Sequence, residues 1–481
     1  VARWQVRPIV AFPTPEKIMT QTDPCAGVQA AILALEARFG SRLSRAEAVR
    51  AQHGSVESWL PQALPDAVLF LQTTEEVSEA VTLCHHHGAP VIPFGAGSSI
   101  EGQVLAPHGG ISFDLSGMDR VLAVNAEDMD CVVQCGVIHQ NLNEHLRATG
   151  LFFPVDLGAH ATLGGMASTR ASGTTTVRYG SMRELVLGLT VVMPDGRVIR
   201  TGGRARKSAS GYDLTHLFVG AEGTLGIITE VTLRLFGRPE ASRSLLCAFE
   251  DLEAATSCVV AALQSSLGLT RIELADTLQM QAINAHAGST LPERPTLWVE
   301  ITGSAPAVAH DATLFAELAE GSGALHVETA DNHEAANRIW RLRHNALYAT
   351  RALRPGIKGI STDVCVPISR LPDCIAEIRA EIDKTALIAP LIGHAGDGNF
   401  HLVLMFDPED AQETAVARQI NARLISIALT MGGTATGEHG VGLGKMGYMQ
   451  AEHGAALDVM RQIKRALDPS GIMNPGKIFT P

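Results

Sequence analysis

The sequence predicts an α+β protein of more than one domain, on three observations. Short β-branched runs separated by glycine-rich turns occupy roughly residues 60–235. Strand-like and helix-like segments alternate from about residue 240. A split cluster of His, Glu and Gly follows, Gly393-His-Ala-Gly-Asp-Gly-Asn-Phe-His401 and Gly437-Glu-His-Gly-Val-Gly-Leu-Gly444. At 481 residues the chain has room for several domains, each able to bury a core without disulfides. Hydrophobic content of 46% against 18% charged residues excludes a disordered or fibrous class. The formal charge of −12 argues against a nucleic-acid partner. None of the 8 cysteines falls in a Cys-x-x-Cys pair, so they read as reduced core residues of a cytosol-like compartment. No apolar run reaches transmembrane length, and Val1-Ala-Arg-Trp-Gln-Val-Arg7 does not read as a signal peptide.

The elements follow in order. Ala30–Phe39 and Arg45–Gln52 read as helices, with Ser44 and Glu47 at capping-box spacing. A strand is expected at Ala67–Leu71, then a helix over Thr73–Gly88 with Thr73 and Glu76 as its cap. The triple His85–His87 suits the C-terminal end of that helix, where the dipole favours positive charge. Val91–Phe94, Ile111–Leu115, Cys131–Cys135, Leu185–Met193 and Gly226–Leu235 are strand-like, and Val137–Thr149 is helical up to Gly150. A second region begins near Pro239. Its strands are expected at Ser244–Phe249, Thr296–Ile301 and Leu387–Leu391. Its helices are expected at Asp251–Leu267, Ala307–Glu320 and Leu371–Lys384, and this alternation predicts an α/β domain. A further helix is expected at Ala451–Leu467.

The glycine-rich half points to a large anionic ligand. Gly95, Gly97 and Gly102 permit backbone conformations costly for other residues, and Ser98 and Ser99 can donate hydroxyl hydrogen bonds. The loop lacks the Gly-Lys-Ser/Thr ending of a Walker A motif and the glycine spacing of a Rossmann fingerprint. Later glycine-bearing segments are Pro154-Val-Asp156-Leu-Gly158, Thr162-Leu-Gly164-Gly165-Met-Ala-Ser168, Ala171-Ser-Gly173, Tyr179-Gly180 and Gly220-Ala-Glu222-Gly223-Thr-Leu-Gly226-Ile227-Ile228. Spread over about 130 residues, they suit an extended dinucleotide threaded between loops, with ordinary turns as the competing reading.

The polar cluster points to metal-assisted proton chemistry. His394 and His401 are seven apart, so a straight strand would place them on opposite faces. A loop that turns back into a strand at Phe400 would bring the two imidazoles together. Glu438 could add an oxygen ligand, giving a His-His-Glu set with an open position. Spacing does not choose among zinc, manganese and iron. His439, adjacent to Glu438, suits a general base near neutral pH. Arg343 in Trp340-Arg-Leu-Arg-His-Asn345 can hold a carboxylate bidentately, with Arg341 as competitor. Lys358 and Asp363 are weaker candidates, and the lysine fits a surface position equally well.

These motifs carry a resemblance. Phe94-Gly-Ala96-Gly-Ser-Ser99, preceded by Pro93, resembles the pyrophosphate loop of the vanillyl-alcohol oxidase superfamily. Thr162–Gly165 and Glu222–Ile228 resemble the segments lining its flavin and adenosine portions. Arg343-His-Asn-Ala346, Leu353–Arg370, the two polar motifs and Asn474-Pro-Gly-Lys-Ile-Phe479 resemble, in the same order, the FAD-dependent D-lactate dehydrogenase branch. The resemblance covers about residues 60–481. It implies a PCMH-type FAD-binding domain at 56–238 after a helical segment at 1–55. It also implies a substrate (cap) domain with a metal site at 239–438, and a C-terminal segment at 439–481 that returns to the flavin.

The resemblance further implies FAD, a divalent metal (zinc or manganese) held by His394, His401 and Glu438, His439 as base, Arg343 on the substrate carboxylate, and Asn399 in the same pocket. Residues 94–100 contain no His or Cys, so dissociable FAD is expected, although His139, His160 and Cys135 could in principle carry a covalent link. Ser361 stands where the D-2-hydroxyglutarate branch has a lysine, which argues against a substrate with a second carboxylate. The expected reaction is oxidation of D-lactate and related D-2-hydroxy acids to 2-oxo acids by hydride transfer to flavin N5. A cytochrome, a quinone or an electron-transferring flavoprotein would accept the electrons. The alternatives are a glycolate-oxidising FAD subunit, a dehydrogenase of bulkier D-2-hydroxy acids, a metal hydrolase and a flavin or metal sensor. A homodimer in the cytoplasm, peripheral to the inner membrane, or in the mitochondrial matrix of a eukaryote, completes the expectations.

Overall fold

The computed structural model describes residues 24–330 and 332–479. Residues 1–23 of the expected N-terminal segment, and the Cys25 side chain, lie outside them. Three large sheets organise the described residues, beside a two-stranded pair of Leu151–Phe152 with Phe236–Gly237. The first is parallel at its centre, with Ala67–Phe70 and Val91–Phe94 flanking Ile111–Asp114, and the two-residue strand Leu43–Ser44 at one edge. The other edge is completed from far along the chain: Met473 bridges Val91, with hydrogen bonds Val91 N–H to Ile472 O and Asn474 N–H to Val91 O, both 2.8 Å. The second sheet is antiparallel, in the order Val121–Asn125, Asp130–Gln134, Ile227–Arg234, Val186–Val192, Val198–Gly202.

The third sheet holds the second half together. Its order is Ala324–Thr329, Ala241–Phe249, Thr296–Gly303, Leu269–Ala275, Leu391–His394, Asn399–Phe406, Lys358–Ser361, and every pair is antiparallel. Strands alternate with helices as the sequence predicts, and helices cover both faces. Leu245, Cys247 and Phe249 pack on one face with helices Leu252–Gln264, Ala305–Gly321, Leu371–Ile382 and Ala411–Thr430. Leu246 and Trp298 pack on the other with helices Thr277–Ala287, His333–His344 and Ala346–Ala352. The switch between adjacent residues is the two-residue period of a strand buried on both faces.

Four local expectations need correction. Ser44 does not cap a helix; it lies in the short strand, and Ala46 is the N-cap of Glu47–His53. The strand expected at Leu387–Leu391 is Leu391–His394 instead, because Pro390 has no N–H for a ladder and only Ile388 forms an isolated bridge before it. The helix expected at Val137–Thr149 runs only over His139–His145, followed by a 3₁₀ turn at Arg147–Thr149. The helix expected at Ala451–Leu467 breaks at Gly454, φ +52°, into Met449–His453 and Ala456–Leu467. Thr73 caps its helix as expected, its hydroxyl accepting from Glu76 N–H at 3.2 Å. The seven cysteines with described side chains are all free. No helix among the described residues is long and apolar enough to cross a membrane.

Candidate active site

One cavity of about 1230 Å³ is lined by both halves of the chain. Pro93, Gly95, Ala96, Gly97, Ser98, Ser99, Asp156, Gly158, Thr162, Gly164, Gly165, Ser168, Gly173, Glu222, Gly223, Gly226, Ile227, Ile228 and Asn474 line it, and Arg343, His394, His401, Glu438 and His439 line it from the other side. Three residues expected with the cofactor do not. Gly102 packs under Leu60, Leu105 and Leu443. The Pro154 carbonyl accepts from Thr175 Oγ1 at 2.5 Å. Tyr179 stacks edge-on between Phe152 and Phe236. Composition marked these residues as loop-like but could not say which way the loop faced. Ser55–Gln62, Cys135, His160 and Ser172 also line the cavity, and no sequence pattern singled out the first of these.

The glycines act chiefly by letting segments meet. A Cβ on Gly95 would lie 2.3 Å from Thr162 Oγ1, one on Gly164 2.4 Å from Cys135 Cβ, and one on Gly173 2.1 Å from the Asp156 carbonyl. Residues 95–100 line the cavity, and none of their backbone N–H groups donates to an acceptor among the described residues. Consecutive unspent N–H groups, with Gly97 at φ +66°, form the concave donor surface that a pyrophosphate fits. The residues present therefore fit FAD.

Asp156 ties this wall to the other half. Its Oδ2 lies 2.7 Å from Arg271 Nη2 and 3.6 Å from His344 Nε2. Burial alone would raise its pKa, but the His344 and Arg271 charges outweigh it and hold Asp156 at about 2, against an ordinary 3.8. The Asp156 contribution to stability is therefore present above its ordinary pKa and lost as pH falls through about 2. His344 is raised from 6.5 by Asp156 against its own burial, so its share is present below 6.5 and lost as pH rises through its folded value. Asp156→Asn is expected to destabilise the protein by about 1–2 kcal/mol at about pH 5, with the difference narrowing by about pH 8.5. Thermal melts of both proteins at the two pH values check this.

The polar cluster is built on strand parity. The 3₁₀ turn Ala395–Asp397 and Gly398, φ +75°, reverse the chain so that Ile392 pairs with His401. Facing residues of an antiparallel pair share a side, and His394 is two positions from Ile392, so both imidazoles emerge on the cavity face. His401 Nε2 lies 3.1 Å from Glu438 Oε1, His394 Nε2 3.5 Å from Glu438 Oε2, and His439 Nε2 3.3 Å from Glu438 Oε1. Each imidazole of the first pair is fixed from behind: His394 Nδ1 by Glu273 at 2.8 Å, His401 Nδ1 by the Thr362 carbonyl at 2.8 Å. Imidazole Nε2 atoms converging on a carboxylate, with Nδ1 anchored, fit a divalent ion.

Asp363, His401, Glu438 and His439 also offer ligand atoms within 4.8 Å of one another. Asp363 is already spent, however. It accepts from Asn399 Nδ2, Thr436 Oγ1, Lys445 Nζ and the N–H groups of Glu438 and His439, at 2.7–3.2 Å. The set His394, His401, Glu438 is therefore the better fit. Burial would raise the Glu438 pKa, but the His394 charge and the histidine hydrogen bonds hold it well below the usual range. His394 is raised well above 6.5 by Glu273 and Glu438 against its burial, and His439 is raised chiefly by Asp363 against its own.

Two findings depart from expectation. Asn399 is buried outside the cavity wall; both its N–H donors are spent, on Asp363 at 3.0 Å and the Val364 carbonyl at 2.9 Å. Asn399 faces His394 across the hairpin end, but its amide is drawn to the Asp363 loop and held there. Arg343 reaches the cavity already ion-paired to Glu273, a residue the sequence did not single out because it lies in an ordinary strand run, Leu269–Ala275.

Comparison with known proteins agrees with the geometry. The family described as FAD binding domain matches residues 65–202, and FAD linked oxidases, C-terminal domain matches residues 238–478. A probable mitochondrial D-lactate dehydrogenase of Danio rerio is 46% identical, over 91% of this chain and 89% of that protein. A mitochondrial D-lactate dehydrogenase (cytochrome) of Arabidopsis thaliana is 44% identical, over 89% of this chain and 76% of that protein. The solved 4-ethylphenol oxidase of Gulosibacter chungangensis superposes with a TM-score of 0.77, covering 97% of this chain and 99% of that one, at 18% identity, and so shares the fold. A donor-lined cavity that fits FAD, matched by both families in sequence order, leaves one assignment: the chain is an enzyme that belongs to the PCMH-type FAD-linked oxidases and dehydrogenases, within the D-lactate dehydrogenase family.

Proposed function

We propose that the protein oxidises D-lactate and related D-2-hydroxy acids to 2-oxo acids, using non-covalent FAD and a divalent metal. The observation that carries this is the meeting of Arg343, His394, His401, Glu438 and His439 on one wall of the cavity whose opposite wall is the 95–100 donor loop. Bound FAD supplies a two-electron oxidant that takes the substrate C2 hydrogen as hydride. A metal held by His394, His401 and Glu438 supplies a Lewis acid for the substrate hydroxyl and carboxylate.

The chain's own residues do the rest. Arg343, held by Glu273 through one Nη, lines the cavity and would hold the substrate carboxylate with its guanidinium. His439 Nε2 sits beside Glu438 and takes the hydroxyl proton. Ile392, Val403, Met405 and Leu347 give the wall an apolar patch for the C2 substituent, and Ser361 offers no charge to a second carboxylate. Lys358 also lines the cavity, so a diacid is the informative competitor. A cytochrome, a quinone or an electron-transferring flavoprotein reoxidises the enzyme.

The test is anaerobic flavin absorbance of purified protein mixed with D-lactate, L-lactate, glycolate or D-2-hydroxyglutarate. Rapid bleaching by D-lactate is expected. Bleaching chiefly by glycolate or the diacid would move the substrate, and none by any of them would overturn the assignment. Dialysis against a chelator is expected to slow D-lactate bleaching, with recovery on adding Zn²⁺ or Mn²⁺; full activity in chelator would remove the metal.

A further inference from the structure

Residues 437–445 carry Glu438 and His439 yet belong to no helix or strand. Their backbone is held by three acidic residues from distant parts of the chain. The Asp363 carboxylate accepts from Glu438 and His439 N–H at 3.1 and 2.9 Å. The Glu222 carboxylate accepts from Val441 and Gly442 N–H at 2.6 and 2.8 Å. The Glu101 carbonyl accepts from Leu443 and Gly444 N–H at 2.7 and 3.1 Å, and its carboxylate meets Lys445 Nζ at 3.2 Å. The glycines of this motif mark the grips. A Cβ on Gly440 would lie 2.6 Å from Glu222 Oε1, one on Gly442 2.1 Å from Glu101 O, and one on Gly444 2.1 Å from Glu101 Oε2.

His439 therefore lies between two hands from different halves. Asp363 belongs to the half built on the large sheet. Glu222 belongs to the wall of the FAD-fitting cavity, is buried, and adopts φ +51°, a left-handed conformation uncommon for a residue with a side chain. Its neighbour Gly223 presses on Pro93, at 2.8 Å from an added Cβ, and so on the 95–100 loop. Glu222 thus lines the cofactor cavity, its N–H donating to the Ser168 carbonyl at 2.9 Å and its carbonyl accepting from Asn474 Nδ2 at 2.7 Å, two residues that also line the cavity, while its carboxylate holds the base-bearing loop.

We propose that Glu222 is a positioning residue that couples FAD binding to the placement of His439. FAD seated against residues 222–228 fixes the Glu222 backbone, and the Glu222 carboxylate then fixes Val441 and Gly442. This rests on the reading of the cavity as the FAD site and of His439 as the base.

The test is amide hydrogen exchange over residues 437–445, in FAD-free and FAD-loaded protein, for wild type and Glu222→Gln. In wild type, FAD loading is expected to slow exchange of the Val441 and Gly442 amides about tenfold. In the variant, whose amide must turn an N–H toward one of these donors, FAD still binds but the slowing is lost. Turnover per bound flavin is expected to fall about a hundredfold, as for a misplaced catalytic group, while the D-lactate KM changes by less than about threefold, because Arg343, His394 and His401 stand on the other half. No slowing in wild type overturns the proposal, and needs no variant to fold. Equal slowing in both proteins, or wild-type turnover in the variant, also overturns it. His439→Ala separates the two readings: full turnover there would sink the base assignment while leaving the exchange result to judge the coupling alone.

Discussion

His439→Ala is expected to lower D-lactate turnover about a thousandfold, the middle of the range for loss of a positioned general base, with flavin content unchanged. The His439 ring lies against His401, 5.0 Å between centroids, and its polar neighbours, Glu438 Oε1 at 3.3 Å from Nε2 and Asp363 Oδ2 at 3.7 Å from Nδ1, are groups of the site itself. Its backbone is held independently of the side chain, N–H by Asp363 and carbonyl by Gln103 Nε2 at 2.8 Å. Truncation therefore removes the imidazole and leaves the loop in place. Rapid-mixing measurement of flavin reduction, normalised to bound FAD, checks this. Unaltered reduction would exclude His439 as the base.

Glu273→Ala is expected to destabilise the protein by about 3–5 kcal/mol and to abolish D-lactate oxidation, because it strands two groups at once. Glu273 is fully buried, pairs with Arg343 and accepts from His394 Nδ1. Burial would raise its pKa, but the His394 and Arg343 charges hold it below the ordinary carboxylate value. Without it, a half-buried guanidinium loses its counter-charge and the His394 ring loses the bond that aims Nε2. Glu273→Gln keeps the shape and one acceptor, so it is expected to fold better and to weaken affinity for the proposed metal by about 10–100-fold. Urea unfolding and metal titration of the two variants separate stability from site geometry. A Glu273→Ala protein as stable as wild type would show that Arg343 does not depend on this pair.

Much of this was legible in the chain. The period-two runs and turn residues placed the central strands of the first half, because burial on a sheet leaves a direct mark on composition, but in the second half they missed Leu269–Ala275, Ala324–Thr329 and Lys358–Ser361. The reversal between His394 and His401 was readable from Gly393, Gly396 and Gly398. What was not readable is pairing across distance. Glu273 and Glu101 look like any acidic residue in their segments, and only the fold shows that they meet Arg343 and Lys445. Asn399 misled for a related reason: it shares a strand face with His401, but its amide is spent on Asp363 and the Val364 carbonyl, partners more than thirty positions away. The glycines of 437–444 drew attention to this segment, and their cause is close approach by Glu222, Glu101 and Asn399.

The bridge between Val91 and Met473 bears on how the protein is made. Chains emerge from the ribosome N-terminus first, so the Val91–Phe94 strand is synthesised long before the segment that covers its edge. Until residues 472–474 arrive, that edge is open for pairing with other chains, and Asn474, which lines the cavity and donates to the Gln103 and Glu222 carbonyls, is missing from the wall. The cavity wall is thus completed only when residues 472–474 arrive, and chains cut short before residue 472 are expected to aggregate more readily than the full chain.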